Sequence, residues 1–257
     1  RTLLDNGRGV HANIISPSGF HDRALSPDGG WIIDNYAEPT VPRNIDFINL
    51  KTDKGTRYFT AENPWKDYAE PQISSGTIKA ADGRTDLYYR LVKPADFDAS
   101  KKYPILLMCT GGPQGVLSPS FSYRWSYMLM AAQGYVVVVP ARRGTSGSGQ
   151  EWADAISKHH GTQDEQDLLA AVDEICKEPW ADKDHVGAMG ASYGGFSIFH
   201  LAGTHKGRFK AFLAHCGIFN SEFMYPTTEE MFFDEWENGG APWDKDNKVA
   251  QNTYSHS

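Results

Sequence analysis

Cysteine is scarce in this chain of 257 residues: only Cys109, Cys176 and Cys216 occur, an odd and small number that builds no disulfide framework. Cys109 and Cys216 lie at the ends of apolar, strand-like runs, where a free thiol packs as a small hydrophobe. Long apolar runs are missing too, since no stretch approaches the roughly 18 residues that a membrane-spanning helix needs. Positive charge is in deficit, with 25 Lys and Arg against 32 Asp and Glu for a net charge of -7, so there is no basic footprint for nucleic acid. The His159-His160 pair stands in a polar stretch with no Cys or carboxylate at metal-ligand spacing around it, and reads as a solvated loop. Neither a metal nor a cofactor is expected. No signal peptide is visible and the chain opens on Arg1, which fits a processed or partial chain.

What is present is a globular composition, 40% hydrophobic and 22% charged, in two differently patterned parts. Residues 1–70 carry short strand-like runs (10–15, 31–36, 44–50, 56–60) separated by Pro, Asp and Gly turns, the pattern of an all-β unit. The turn Ser26-Pro27-Asp28-Gly29 leading into Trp31-Ile32-Ile33 resembles a blade of a β-propeller, of which one to two blades are present. A Pro-containing connector at 62–71 ends this part.

From residue 71 to 257 strands alternate with helices. Residues 73–80 and 85–93 read as a hairpin around Ala81-Asp82-Gly83, and 103–110 and 135–139 as buried strands; continuous apolar β-branched runs suit a sheet covered on both faces. The spacing predicts helices over 125–133, 163–178 and 193–204, with Leu168, Leu169, Val172, Ile175 and Cys176 forming one apolar face of the second. Further strands follow at 185–189 and 209–215. Such alternation means a parallel α/β sheet. A helix over 227–237 is expected from the Thr227-x-x-Glu230 capping box, with Met231, Phe232 and Trp236 packing inward or against the propeller.

Chemistry concentrates at Gly190-Ala191-Ser192-Tyr193-Gly194, followed by Gly195. The G-x-S-x-G pattern acquires meaning from its context, a strand before it and a helix after it, which is what a nucleophile elbow requires. A tight turn there strains the serine backbone and projects its hydroxyl at a helix N-terminus, where backbone N–H groups favour negative charge. A second piece, Thr110-Gly111-Gly112-Pro113, follows the 103–109 strand. An oxyanion hole in such a site takes one N–H from the residue after the nucleophile, Tyr193, and one from the loop after an early strand, at Gly111 or Gly112, with Gly112 preferred.

These segments resemble the prolyl oligopeptidase family of serine peptidases. Ser26-Pro27-Asp28-Gly29, Lys101-Lys102-Tyr103-Pro104, Gly111-Gly112-Pro113, Arg143-Gly144-Thr145-Ser146-Gly147-Ser148-Gly149 and Gly190 to Gly195 occur in the expected order along nearly the whole chain. Within the family the chain is most similar to the branch of bacterial dipeptidyl peptidase V and acylaminoacyl peptidase, and Gly239-Gly240-Ala241-Pro242-Trp243 and Trp125 to Gly134 resemble the former group. The resemblance implies an α/β-hydrolase fold, incomplete at its C-terminal side, preceded by the last one to two blades of a propeller. One departure is Thr110, where many members carry His before Gly-Gly-Pro; the backbone donors are unaffected.

The resemblance also implies a triad running Ser, Asp, His, with the acid and base beyond residue 257. Another chain or segment would then supply both, and this chain alone would be nearly inactive. None of its own histidines reads as the base: His200 is expected to be packed or solvated and His215 structural, and His205 to sit at a helix end where a cation suits the dipole. By resemblance, residues 218–225 line the pocket for the residue before the scissile bond, with Phe219, Phe223 and Tyr225 as apolar walls beside Tyr193, although aromatic core packing is the competing reading. Arg142 and Arg143 are candidates either for a substrate carboxylate or for structural ion pairs. The implied activity is release of dipeptides or other short N-terminal units by acyl-enzyme chemistry, in the periplasm or otherwise outside the cell. Two alternatives stand beside it: an acylaminoacyl peptidase or esterase, and a non-catalytic fragment or binding module. Short peptides are the expected partners, with no nucleic acid or membrane, and an oligomer is compatible with the sequence.

Overall fold

The computed structural model describes residues 2–5, 8–11, 20–117 and 121–256. The chain separates into two compact units, one of residues 1–70 with 118–128 and one of residues 71–117 with 129–257. Residues 121–128 therefore group with the N-terminal part, although they follow the first strands of the α/β part in sequence.

In the first unit, β1 (Thr2–Asp5) and β2 (Arg8–His11) form an antiparallel pair. The expected strand at 10–15 and the Ser16-Pro17-Ser18-Gly19 turn fall, beyond His11, outside the described residues. Four further strands, β3 (Phe20–Leu25), β4 (Trp31–Ala37), β5 (Asn44–Asn49) and β6 (Lys54–Thr60), pair antiparallel in the order β3-β4-β5-β6, the strand count of one propeller blade. The turn between β3 and β4 explains its sequence. Ser26 Oγ donates to Asp28 at 2.6 Å and accepts from Trp31 N at 2.9 Å, while Gly29 takes a left-handed φ of 68°. Along β4, Ile32, Asp34 and Tyr36 alternate into the interior, and Asp34 is buried there because His21 Nδ1 (2.9 Å) and Arg23 Nε (3.3 Å) face it.

The second unit is a six-stranded mixed sheet. Its strands are β7 (Gln72–Lys79), β8 (Asp86–Lys93), β9 (Tyr103–Cys109), β10 (Val136–Pro140), β11 (Ala181–Ala191) and β12 (Ala211–His215), in the order β12-β11-β9-β10-β8-β7. The β7–β8 hairpin and its join to β10 are antiparallel, and the rest is parallel. Helices α1 (Tyr127–Ala132), α2 (Gln150–Asp154), α3 (Gln163–Ile175), α4 (Tyr193–Thr204), α5 (Ser221–Met224), α6 (Met231–Asn238) and α7 (Lys248–Tyr254) occupy the connections and the C-terminal stretch. No helix among the described residues is long and apolar enough to cross a membrane.

The core forms where the sequence is most apolar. All five residues of β10 are buried, and Ile105, Leu107 and Cys109 of β9 join Leu168, Val172 and Ile175 of α3 and Ile198 and Leu201 of α4 in one cluster. Each fully buried Leu or Ile there contributes about 1.5–3 kcal/mol relative to an exposed one. Burial pushes the Cys109 thiol up to about 12, so it is an inert apolar filler.

The start of α3 carries three acids that the apolar pattern did not announce. Asp164, Glu165 and Asp167 are all buried at the end of the helix where negative charge is favoured. Asp164 accepts from the Tyr193 hydroxyl at 2.8 Å, Glu165 from His200 and Thr204, and Asp167 from the Arg143 backbone N–H at 3.1 Å. Two of them thus tie α4 to α3. Burial pushes the Asp167 carboxyl up to about 6 despite that N–H.

The helix expected from Thr227 begins later, at Met231. Thr227 Oγ1 instead donates to the carbonyls of Phe223 and Met224 at 3.0 Å, closing a short turn over Tyr225–Thr227, and Glu230 N donates to Thr228 Oγ1. The local hydroxyl-to-carbonyl bonds displaced the capping box. Met231, Phe232 (71%) and Trp236 (66%) are exposed rather than packed inward, while Asp234, Glu237 and Asn238 are buried.

Candidate active site

Ser192 stands between β11 and α4 with φ 58° and ψ −125°, a left-handed backbone that a residue with a Cβ adopts only at a cost of about 1–3 kcal/mol. Its N–H donates to His215 O at 3.0 Å and its carbonyl accepts from Phe196 N at 3.0 Å, so the turn is held from β12 and from the helix. The flanking glycines have a steric reason. A Cβ on Gly194 would stand 2.1 Å from Cys109 O, and one on Gly190 would stand 2.4 Å from Gly194 O. Only bare backbone allows the helix to start this close to β9.

The loop after β9 reaches the same place. A Cβ at Gly111 would lie 3.5 Å from Ser192 Cβ, and Gly112 takes φ 131°. Arg142, fully buried, holds this loop: its Nη1 donates to Pro113 O at 3.0 Å and its Nη2 to Thr110 O at 3.1 Å, with the guanidinium 4.7 Å from the Tyr193 ring centroid. Arg143 pairs with Asp82 and donates to Gln163. Both arginines are therefore structural, and neither is free for a substrate carboxylate. As the first residue of α4, Tyr193 has an N–H with no partner within its helix. Its ring is buried, and burial first, then the Asp164 carboxylate, pushes its phenol well above the ordinary value.

Gly112, Pro113, Ser192 and Tyr193 line a cavity of about 500 Å³. Phe196, Ile218, Met224 and Phe233 supply its apolar wall, and His160, Cys216, Glu230 and Asp234, with Tyr193, its titratable groups. The three aromatics expected to form a substrate pocket are placed elsewhere. Phe219 (73%) and Phe223 (69%) are exposed, and Phe219 meets Phe199 edge-on at 5.3 Å. Tyr225 is buried, donating to Glu235 at 2.6 Å and packing against Trp243 at 4.8 Å. None of the three is among the residues lining the cavity.

His160 corrects the reading of His159-His160 as a solvated loop. Its side chain is 12% exposed and its Nε2 lies 3.1 Å from Glu237 Oε2. Glu237 Oε1 also accepts from Gln114 Nε2 at 2.8 Å and Ser157 Oγ at 3.2 Å. This carboxylate joins α6 to the glycine loop and to residues 157–160. Burial raises its pKa, but the bonds from His160, Gln114 and Ser157 outweigh burial and hold it below the usual glutamate value. The sequence offered one signal, polar residues at 234, 237 and 238 with the i, i+3, i+4 spacing of a helix face. Their partner lies 77 positions away and could not be read locally.

Other histidines are engaged as well. His200 Nδ1 bonds Glu165, which raises its pKa, and His205 Nδ1 accepts from Phe209 N at 3.1 Å. His215 Nε2 lies 3.9 Å from Cys216 Sγ.

A family description, the prolyl oligopeptidase family, matches residues 119–257. Dipeptidyl-peptidase 5 of Porphyromonas gingivalis is 54% identical over 70% of this chain, which covers 26% of that protein. Dipeptidyl-peptidase 5 of Schizosaccharomyces pombe is 37% identical over 65% of the chain and 24% of its own length. The chain thus spans about a quarter of these relatives. Among solved structures, dipeptidyl peptidase 4 of Porphyromonas gingivalis superposes with a TM-score of 0.80 at 24% identity, over 98% of this chain and 35% of its own. The acylaminoacyl peptidase of Pyrococcus horikoshii does so at 0.80 and 23%, over 97% and 39%; at such identities the likeness establishes the fold. With the strained Ser192, its glycine frame and the family match over more than half its length, this chain is a member of the prolyl oligopeptidase family.

Proposed function

We propose that the chain carries the nucleophile of a serine peptidase that releases dipeptides or other short N-terminal units from peptides. One observation carries the reading: Ser192 is held at φ 58° at the start of α4, at the wall of a cavity that also contains the glycine loop. A strained serine is retained where its position matters more than its stability. The similarity to proteins named dipeptidyl-peptidase 5 supports the substrate class.

In this reading Ser192 Oγ attacks the scissile carbonyl and its proton passes to a base. The N–H groups of Tyr193 and Gly112 receive the developing oxyanion, and the base returns the proton to the leaving amine. Water then clears the acyl-enzyme by the same route in reverse. A preorganised donor of this kind is typically worth about 100- to 1000-fold in kcat. Among the described residues no histidine is hydrogen-bonded to Ser192 Oγ, and in this reading the base and its orienting acid come from another segment or chain, in the order Ser, Asp, His of this fold. The same reading puts the enzyme in the periplasm or outside the cell.

The test is labelling with a fluorophosphonate and mapping of the adduct by mass spectrometry. An adduct on Ser192, lost in Ser192→Ala, is expected wherever the base is in reach. A folded chain that stays unlabelled, alone and with the polypeptide supplying the base, would assign it to the non-catalytic reading. Comparing Ala-Ala and N-acetyl-Ala anilides then separates a dipeptidyl peptidase, which needs the free amine, from an acylaminoacyl peptidase, which does not.

A further inference from the structure

Arg142 is a buried cation with no carboxylate bonded to it among the described residues. It is fully buried, its Nη1 donates to Arg143 O at 2.7 Å and Pro113 O at 3.0 Å, and its Nη2 donates to Thr110 O at 3.1 Å. Each of these bonds runs to a main-chain carbonyl, and its Nε has no partner. A buried charge without an acid adds little to stability, so stability is not what this side chain supplies. The surrounding backbone is nevertheless shaped to hold it. Gly144 takes φ 94°, and a Cβ there would stand 2.8 Å from Nη1. The Arg142 carbonyl accepts from Thr145 N (3.0 Å), Thr145 Oγ1 (2.7 Å) and Trp152 Nε1 (3.1 Å), so the guanidinium springs from a fixed backbone just past β10.

What the guanidinium takes hold of gives its role. In a trans peptide the C=O and the following N–H point opposite ways. Drawing in Thr110 O turns the Gly111 N–H away from the guanidinium, and drawing in Pro113 O does the same for the Gln114 N–H. Gly111 and Gly112 lie between these two anchors. The same guanidinium lies 4.7 Å from the Tyr193 ring centroid, and the Tyr193 hydroxyl is tied to Asp164 at 2.8 Å. One side chain thus touches both pieces that bring backbone N–H groups to Ser192, the glycine loop and the first residue of α4. Arg142 itself does not line the cavity, so it meets no substrate. Two donors serve one oxyanion only if each stands about 2.7–3.1 Å from it, a tolerance that an unanchored pair of glycines would not keep.

We propose that Arg142 is a positioning residue of the oxyanion site. Its planar fork fixes the glycine loop against the Tyr193 ring and so sets the spacing of the Gly112 and Tyr193 N–H groups. The inference rests on the reading of Ser192 as the nucleophile. Lysine would keep the charge but not the fork, which meets Thr110 and Pro113 from one rigid plane.

The test is the kinetics of fluorophosphonate labelling at Ser192, in the assembly that labels, for the wild-type chain, Arg142→Lys and Arg142→Ala. Each is measured well below its thermal midpoint, and saturation separates reversible binding, KI, from the covalent step, kinact. Arg142→Lys should lower kinact about 100-fold, the scale of one misplaced oxyanion donor, and leave KI within about twofold. In Arg142→Ala, methylguanidinium should restore part of kinact and methylammonium should not. A role in stability alone would move the thermal midpoint and leave kinact of the folded protein unchanged. Unchanged kinact in Arg142→Lys, a change confined to KI, or equal rescue by both cations overturns the proposal. Loss of folding in both variants also overturns it, since Arg142 would then act through the fold as a whole; if Arg142→Ala alone fails to fold, Arg142→Lys decides. A wild-type chain that never labels defeats the peptidase reading and this proposal with it, whereas a wild type that labels no faster than its variants overturns this proposal alone.

Discussion

Two short helices frame the same cavity and were built by opposite rules. Helix α4 begins at the serine turn, buries Phe196, Ile198 and Leu201, and owes its position to glycines that let its backbone approach β9. Helix α6 exposes Phe232 and Trp236 and buries Asp234, Glu237 and Asn238. The first is placed by sterics and apolar burial, which act residue by residue. The second is placed by a carboxylate that finds a histidine, a glutamine and a serine from distant parts of the chain. A framework needs apolar contact, and the wall of a cavity needs polar groups inside, so a helix that buries its acids beside the strained Ser192 marks a wall rather than a framework.

The largest expected effect lies on the steric side. Gly194→Ala places a Cβ 2.1 Å from a carbonyl of β9, an overlap that backbone movement alone can relieve. It should destabilise the second unit by more than about 3 kcal/mol and remove labelling at Ser192. Near-normal thermal and denaturant midpoints would mean that α4 is not seated as described.

The polar side is tested by two acids one turn apart that titrate in opposite senses. Glu237 has a folded pKa below its ordinary 4.5, so its ionised form stabilises the fold above that value and the contribution is lost as the pH falls through the folded pKa. Glu237→Gln should therefore cost about 2 kcal/mol at pH 7, with the deficit closing as the pH falls below 4.5. Asp234 has a folded pKa above its ordinary 3.8, so its ionisation is a cost that is absent below 3.8 and complete once the pH exceeds the folded value. Asp234→Asn should accordingly raise the denaturation midpoint at pH 7 and leave it unchanged at pH 3. Shifts of the same sign in both variants would remove the distinction between a satisfied and an unsatisfied acid on α6.

The smallest effect concerns the serine itself. Ser192→Gly relieves a left-handed backbone at φ 58° and should stabilise the unit by about 1 kcal/mol while abolishing labelling. A fall in stability would show that the serine side chain contributes more to the fold than its backbone costs.

Much of the framework was legible because it rests on local rules. The valines of β10, the apolar stripe of α3 and the glycine-flanked serine each state their structure within a few residues. The turn at Ser26-Pro27-Asp28-Gly29 is of the same kind, since its hydrogen bonds run within six residues. The cavity wall was not legible in this way. Apolar residues at 219, 223 and 225 read as a pocket, yet Phe219 and Phe223 face outward and Tyr225 is taken into the interior by Glu235 and Trp243. His160 read as solvated because the acid that buries it is 77 positions away.

The sequence by itself determined which serine is strained into position and which strands stand behind it, because backbone sterics and apolar burial act over a few residues. Only the tertiary structure decided which acids face the cavity and which arginines are engaged. A charged side chain enters the interior only where partners from several elements meet it, and that meeting is a property of the packed fold.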